Sequence, residues 1–250
     1  MFPELMSPSA LEAYYSDSPD KHSHIWLNMK GMVNSTPILK FHRDFVVKNG
    51  WGYGNRALHW MWNILIEHAP QDFKFLEIGV FKGQVISLAS LLNKEYNKNG
   101  KIYGITPLSS SGDKYATHPD IDYEEAIMTI YAQFGLDASD LEIIQGYSND
   151  ENIIVATNAL GPFDIVFVDG CHDYEVVVSD LINYGNMLNV GGYLIVDDAS
   201  NTLNIPDNLI RLNWKGLTDV TAATNHVLLN NENFKEVFAV GHNRVFKKVL

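Results

Sequence analysis

A doubly wound α/β fold, with a mostly parallel seven-stranded sheet closed by a carboxyl-terminal antiparallel hairpin, is predicted by three observations. From residue 74 to residue 196, short apolar runs alternate with stretches of helical spacing, the pattern of parallel strands covered by helices on both faces. Two of the runs, Phe163-Asp-Ile-Val-Phe-Val-Asp169 and Gly191-Gly-Tyr-Leu-Ile-Val-Asp197-Asp198, end in carboxylates, which reads as buried strands delivering acids to the carboxyl edge of the sheet. The alternation then stops at 234–240 and 244–249, two strand-like runs separated by Gly241-His242-Asn243, a hairpin signal.

Along the chain, residues 1–56 differ in texture, with Pro3, Pro8, Pro19 and Pro37 interrupting short helical stretches. They are expected to form an amino-terminal helical cap that serves a substrate or a homo-oligomer contact. Residues 57–250 are expected to form the main domain. It should open with a helix at 57–68, then a strand at 74–78, a helix at 84–96, a strand at 101–105 and a helix at 123–134. A strand at 141–145, a helix at 149–159 and the strand at 164–168 follow. A crossover helix at 174–188 then leads to the strand at 193–196, so these last two strands run parallel and close together.

With 250 residues and 46% hydrophobic content, the chain can bury one large core. No apolar stretch approaches the roughly 20 residues that cross a bilayer, and the amino terminus lacks a basic region followed by an apolar one. A cytoplasmic protein that binds no membrane is the expectation. The single cysteine, Cys171, forms no intrachain disulfide and reads as a small buried side chain. The formal net charge of -12 argues against a nucleic-acid partner, for which a basic face supplies most of the affinity, and favours small or neutral acceptors.

If the two acidic strands are neighbours, Asp169, Asp197 and Asp198 share one edge. Three ionised carboxylates there repel by roughly 4 kcal/mol per pair at about 4 Å in an intermediate dielectric, and neither segment supplies Lys or Arg near its acidic end. A bound cation is the economical answer, and oxygen ligands point to magnesium, manganese or calcium rather than zinc. Capping of the next helix by Asp197, with Asp198 facing solvent, is the plainer alternative for an isolated pair. The matching Asp169 and His172 shift the balance toward a site.

At the end of the 74–78 strand, Phe75-Leu-Glu77-Ile-Gly79-Val80-Phe-Lys-Gly83 places an acid before two glycines where the chain turns into a helix. Glycine there permits positive φ and close approach of a ligand. The middle glycine of a dinucleotide fingerprint is missing, and the acid before the turn would repel a pyrophosphate and attract an ammonium. An amino-acid-bearing nucleotide fits better.

On these residues, together with Gln145-Gly-Tyr147-Ser148, Asp169-Gly-Cys-His172-Asp-Tyr174, Asp180-Leu and Gly191-Gly-Tyr-Leu-Ile-Val-Asp-Asp198, the chain resembles the class I S-adenosylmethionine-dependent methyltransferases. Within them it is most similar to the metal-dependent O-methyltransferases of the macrocin and novobiocin sugar type, over residues 57 to 250. The resemblance implies a Rossmann-like methyltransferase fold, S-adenosylmethionine as cofactor and Mg2+ or Mn2+ as metal. It further implies that Glu77, Gly79, Val80 and Gly83 hold the methionine part of the cofactor, that Tyr147 and Ser148 border the adenine, and that Asp169, Asp197 and Asp198 hold the cation. One position departs from the pattern: where such enzymes end the second strand in an acid that grips the ribose, this chain has Thr106. Threonine offers a single hydrogen bond, with Asp113 as a substitute in the following loop.

The expected activity is methyl transfer to a hydroxyl of a sugar or glycosylated small molecule. His172, three residues after Asp169, is the first choice of general base. Asp169 is the second, and His242 reads as structural. A catechol or phenol acceptor is the nearest alternative, followed by a non-catalytic binding module that retains the fold. Trp51, Tyr53, Trp26 and Trp214 offer a stacking wall, although cap and core packing explains them as well.

Overall fold

The computed structural model describes residues 5–110, 122–209 and 214–250. Pro3 and Asp113 lie outside the described residues. In the amino-terminal segment the prolines act as helix starters: Pro8, Pro19 and Pro37 each open a helix, α1 (Pro8–Tyr14), α2 (Pro19–Ser35) and α3 (Pro37–Lys48). The first helical turn has no intrahelical partner for its N–H groups, so the missing proline N–H costs nothing there. Ser7 and Ser18 complete the first two starts by accepting from Ala10 N and Lys21 N.

The alternating part follows the sequence expectation closely. The order is α4 (Leu58–Glu67), β1 (Lys74–Ile78), α5 (Gln84–Glu95), β2 (Lys101–Thr106), α6 (Tyr123–Phe134), β3 (Leu141–Gln145) and α7 (Glu151–Leu160). Then come β4 (Phe163–Val168), α8 (Tyr174–Asn186), β5 (Leu188–Val196), α9 (Thr218–Thr224), β6 (Phe234–Val240) and β7 (Asn243–Lys248). The largest difference is β5, which begins five residues before the expected 193. The chain passes from α8 through Met187 directly into Leu188, which pairs with Phe163.

The seven strands run in the order β3-β2-β1-β4-β5-β7-β6. β1 to β5 are parallel, and β7 is antiparallel to both β5 and β6. The order reverses between β1 and β4, which creates a crevice at their carboxyl ends, the place where doubly wound sheets bind ligands. Each strand face has its own core. Phe75, Ile165, Phe167 and Ile195 pack with α4, α5 and the cap helices, whereas Leu76, Ile78, Val166, Val168, Leu194 and Val196 pack with α8 and α9. α4 is buried from Leu58 to Ile66 because it lies between the sheet and the cap, so it is apolar nearly all round.

Two histidines are sealed in this layer. His42 of α3 and His59 of α4 face each other at 3.1 Å, and His42 Nε2 lies 3.0 Å from Ser87 Oγ in α5. Burial, followed by the Arg43 charge, pushes the His42 pKa down to about 3, and burial holds His59 well below its usual range. Both rings are neutral in the folded chain, while an unfolded histidine titrates near pH 6.5. The unfolded state therefore binds more protons between pH 6.5 and about 3, and stability falls as pH drops through that window. His42 should contribute about 2 kcal/mol of the loss between pH 7.5 and 5.0. Urea denaturation at the two pH values should show a smaller loss for His42→Gln than for the parent chain; equal losses would contradict the assignment.

Candidate active site

The main-chain ladder runs past the ends of the central strands and sets the site. Asp169 N donates to Ile78 O at 2.9 Å and Asp197 N to Val168 O at 3.0 Å, while Gly79 N and Val80 N both donate to Ile105 O. Val168 pairs with Val196, so Asp169 and Asp197 follow at the same level on neighbouring strands. The two-residue period of a strand places Glu77 on the face of Phe75, and carried one residue on it places Asp169 with Phe167 and Asp197 with Ile195. Three acids thus point to the same side of the sheet. Asp198 leaves the strand path with φ +52, and its carbonyl accepts from Leu217 N.

Gly79 is required where β1 turns. Its φ is +94, and a Cβ would lie 2.0 Å from the carbonyl oxygen of Asp169. Gly83 caps α5 with φ +82 against Ile127; it does not line the cleft.

The cleft has a volume of about 1000 Å³. Glu77, Gly79, Val80, Thr106, Tyr147, Ser148, Asp169, His172, Asp197 and Asp198 all line it, so every expected site residue except Gly83 comes together. Among its other lining residues, Lys82, Gln84 and Leu217 carry no sequence signal that marks them as site residues. Trp214, expected only as a stacking candidate, also makes a polar contact: its Nε1–H donates to Asp198 Oδ1 at 2.6 Å. On the cap side the segment Gly50–Asn55 closes the cleft. Arg43 holds it from α3, donating to Tyr53 O at 2.6 Å and Gly54 O at 2.7 Å, and Tyr53 N donates to Gln84 Oε1.

Charge at this edge is uncompensated by lysine or arginine: among the described residues neither pairs with Glu77, Asp169, Asp197 or Asp198. Burial, opposed by the Ile86 main-chain N–H and reinforced by Asp197, raises the Glu77 pKa to about 8, and Glu77 Oε2 has no hydrogen-bond partner. Burial and then the carboxylates of Asp197, Asp198 and Glu77 hold the Asp169 carboxyl well above its usual range. Asp198 rises to about 6 through burial and Asp197, moderated by His242, Trp214 and His172. Of the polar neighbours, Asn243 Nδ2 donates to Asp197 Oδ1. His242 Nε2 lies 3.2 Å from Asp197 Oδ1, and His172 Nε2 lies 3.7 Å from Asp198 Oδ2. The donor set of carboxylates and imidazole suits a divalent cation, and the orphaned Glu77 oxygen suits an ammonium.

At the other end of the cleft, Ser148 Oγ donates to the buried Asp180 at 3.0 Å, and Tyr184 holds the Ser148 carbonyl at 2.7 Å. The Ser148 hydroxyl is left as an acceptor. Thr106 Oγ1 accepts from Leu108 N at 3.0 Å and keeps its own proton to donate.

The mostly parallel sheet ended by the antiparallel β6–β7 pair is a Rossmann-like methyltransferase fold. Residues 76–199 match the family model described as "Methyltransferase domain". The chain is 31% identical over 141 residues to "Uncharacterized protein R132" of Acanthamoeba polyphaga mimivirus; the match covers 56% of this chain and 58% of that protein, little more than half its length. Among solved structures, it is similar to the O-methyltransferase TomG from Streptomyces achromogenes, involved in tomaymycin synthesis and in complex with SAM (15% identity, 84% of this chain and 89% of that one, TM-score 0.55). It is also similar to CalS11, a TDP-rhamnose 3'-O-methyltransferase of calicheamicin biosynthesis (16% identity, 95% and 98% covered, TM-score 0.55). At these identities the likeness establishes the fold. Among the described residues no helix is long and apolar enough to cross a membrane.

Gly79→Ala should cost about 2 kcal/mol or more, because the new Cβ meets strand-end backbone at a positive φ. Urea denaturation checks this; an unchanged midpoint would mean that the β1 turn is not held against Asp169.

Proposed function

We propose that the protein is an S-adenosylmethionine-dependent O-methyltransferase acting on a hydroxyl of a sugar or glycosylated small molecule, with Mg2+ or Mn2+ held by Asp169, Asp197 and Asp198. The observation that carries this reading is the convergence of four carboxyls on one cleft, with no lysine or arginine among the described residues pairing them. When bound, the cofactor supplies an electrophilic methyl group and the cation supplies Lewis-acid polarisation of the acceptor hydroxyl.

The residues then divide the work. Glu77 binds the cofactor ammonium through its unpartnered Oε2, and the incoming positive charge offsets the desolvation that raises its pKa. Gly79 and Val80 let the main chain pass close to the methionine part. Ser148 Oγ, with its proton committed to Asp180, accepts from an amino donor such as that of adenine, while Tyr147 flanks the ring. Thr106 Oγ1 donates to a ribose hydroxyl. His172 takes the acceptor proton at Nε2, the atom nearest Asp198. Trp214, fixed by Asp198, gives the acceptor an apolar wall beside the reacting group. In this reading residues 1–56 form a cap that sets the acceptor end through Arg43 and the Gly50–Asn55 segment.

The sugar is favoured as the first acceptor to screen because CalS11, of the same fold, is a TDP-rhamnose 3'-O-methyltransferase. A phenolic acceptor is the second reading, supported by the aromatic lining of Trp51, Tyr53 and Trp214. A non-catalytic module would have no use for four desolvated carboxyls, each costly to keep.

Calorimetric titration with S-adenosylhomocysteine should show saturable binding, weakened about tenfold or more in Glu77→Gln, which corresponds to loss of one charged hydrogen bond. Absence of binding to the parent chain, or unchanged affinity in a folded Glu77→Gln, refutes the cofactor pocket. Asp197→Ala should retain that binding and lose divalent-cation-dependent turnover of the acceptor. Full turnover by this variant in chelator-treated buffer would remove the metal from the reaction.

A further inference from the structure

Asp180 of α8 is a buried carboxyl whose own titration no step above uses. It is fully buried, its Oδ2 accepts from Ser148 Oγ at 3.0 Å, and its Oδ1 has no hydrogen-bond partner. It lies beneath two turns that line the cleft: Ser148 after β3, and Gly170 after β4, where an added Cβ would come 3.8 Å from Asp180 Oδ2. One helical turn further along α8, Tyr184 OH donates to Ser148 O at 2.7 Å, so main chain and side chain of the serine are both held. Ser148, Gly170 and Tyr184 thus face Asp180, and the other acid that acts on Tyr184 is Asp150, at the start of α7. Burial raises the Asp180 pKa to about 7, the Ser148 hydrogen bond opposes the rise, and no charged side chain adds to it.

A serine hydroxyl has one proton to donate and lone pairs to accept with. Ionised Asp180 can only accept, so Ser148 turns its proton inward and offers lone pairs to the cleft. Neutral Asp180 carries a proton that Oδ2 can donate to Ser148 Oγ, which frees the serine proton to point outward. The heavy atoms stay in place, and the polarity of the cleft wall at Ser148 is no longer fixed. The unpartnered Oδ1 costs less on a neutral carboxyl than on an ionised one, so the two states of Asp180 lie close in energy near neutral pH.

We infer that Asp180 is a positioning residue which, when ionised, fixes Ser148 Oγ as an acceptor and so makes the base end of the cleft select a 6-amino purine over a 6-oxo purine, and that the selection relaxes when Asp180 takes up a proton. This rests on the cofactor reading above. An amino group at the sixth position donates to the fixed acceptor, whereas a carbonyl there sets oxygen against oxygen. With Asp180 neutral, Ser148 can donate to that carbonyl.

The test is calorimetric titration of the full chain at pH 8.0 and 6.0 with S-adenosylhomocysteine and with its 6-oxo counterpart, S-inosylhomocysteine, read as a ratio of affinities. The two ligands share amino acid and ribose, so titration of Glu77 and the edge aspartates acts on both alike and drops out of the ratio. The parent chain is expected to prefer the amino ligand about tenfold or more at pH 8.0, with the ratio falling about threefold or more at pH 6.0 as Asp180 is protonated. Asp180→Asn presents a neutral amide that can donate to Ser148 or accept from it, and is expected to show the low ratio at both pH values. Ser148→Ala is expected to show a low ratio that does not change with pH. The parent chain and Ser148→Ala answer the question even if Asp180→Asn does not fold. Equal ratios for the parent at the two pH values, or a pH-dependent ratio that survives in Ser148→Ala or in a folded Asp180→Asn, overturn the inference and leave the cofactor reading standing wherever S-adenosylhomocysteine binds. Binding of neither ligand by the parent chain overturns both.

Discussion

Negative charge concentrated at the carboxyl edge of the sheet is the constraint around which the molecule is arranged. Glu77, Asp169 and Asp197 share a face because three neighbouring parallel strands are in a register that leaves no freedom to turn one of them away. A slip of one residue in β4 or β5 would bury the acids among the side chains of the opposite core. The hydrophobic sets of both faces therefore enforce the electrostatic problem. Around the acids, the described residues supply neutral hydrogen-bond donors and imidazoles in place of lysine or arginine: Trp214, Asn243, His172 and His242. A covalently tethered cation would neutralise the edge permanently; uncharged donors orient the carboxylates and leave their charge available to a ligand.

The antiparallel pair β6–β7 takes its place from the same requirement. Pairing of β7 with β5 brings its turn beside Asp197 and Asp198. The pair is anchored on its far side by Arg244, which is 1% exposed and meets Glu236 through Nε at 3.1 Å and Nη2 at 2.6 Å, with Nη1 on Asn225 at 2.6 Å. The cap joins this anchor where Tyr15 OH donates to Glu236 Oε1 at 3.1 Å. A buried arginine with all its near partners satisfied fixes position as well as energy. It holds the hairpin turn, and with it His242, against the acidic edge from two residues away in sequence. The amino-terminal helices thus connect to the cleft by two routes: Arg43 to the Gly50–Asn55 segment, and Tyr15 through Glu236 and Arg244 to the hairpin.

Much of this is legible in the sequence because the signals are local. The bounds of β1 and α6 match the expectation residue for residue, since each is an uninterrupted periodic run with a clear stop. Asp169, Asp197 and Asp198 are readable because strands ending in acids, joined by one helix, must be neighbours. The roles of Trp214 and Asn243 are not readable. Trp214 reaches Asp198 through an isolated bridge between Ala199 and Gly216, and Asn243 reaches Asp197 through a pairing that spans 46 residues. Neither contact leaves a periodic trace. The prolines of the cap read as interruptions, but a proline that breaks one helix and a proline that begins the next look identical until the chain path is known. β5 reads short because Gly191-Gly192 resembles a turn, whereas the strand runs through them.

Thr106 illustrates how the electrostatic constraint extends to a position that departs from the methyltransferase pattern. It follows Ile105, whose carbonyl takes both Gly79 N and Val80 N, so the end of β2 lies directly against the β1 turn that carries Glu77. Glu77 already has a pKa of about 8 through burial and the charge of Asp197. An ionised acid in place of Thr106 would add like charge next to a group that is barely able to ionise, and every further tenfold rise in the proton affinity of Glu77 corresponds to about 1.4 kcal/mol against its charged form. Threonine avoids that cost, donates one hydrogen bond, and uses its oxygen to hold Leu108 N and shape the turn. In the proposed function, the weaker grip of Thr106 on a ribose is the counterpart of keeping Glu77 able to ionise for an ammonium, and the two positions are linked through the main chain of Ile105.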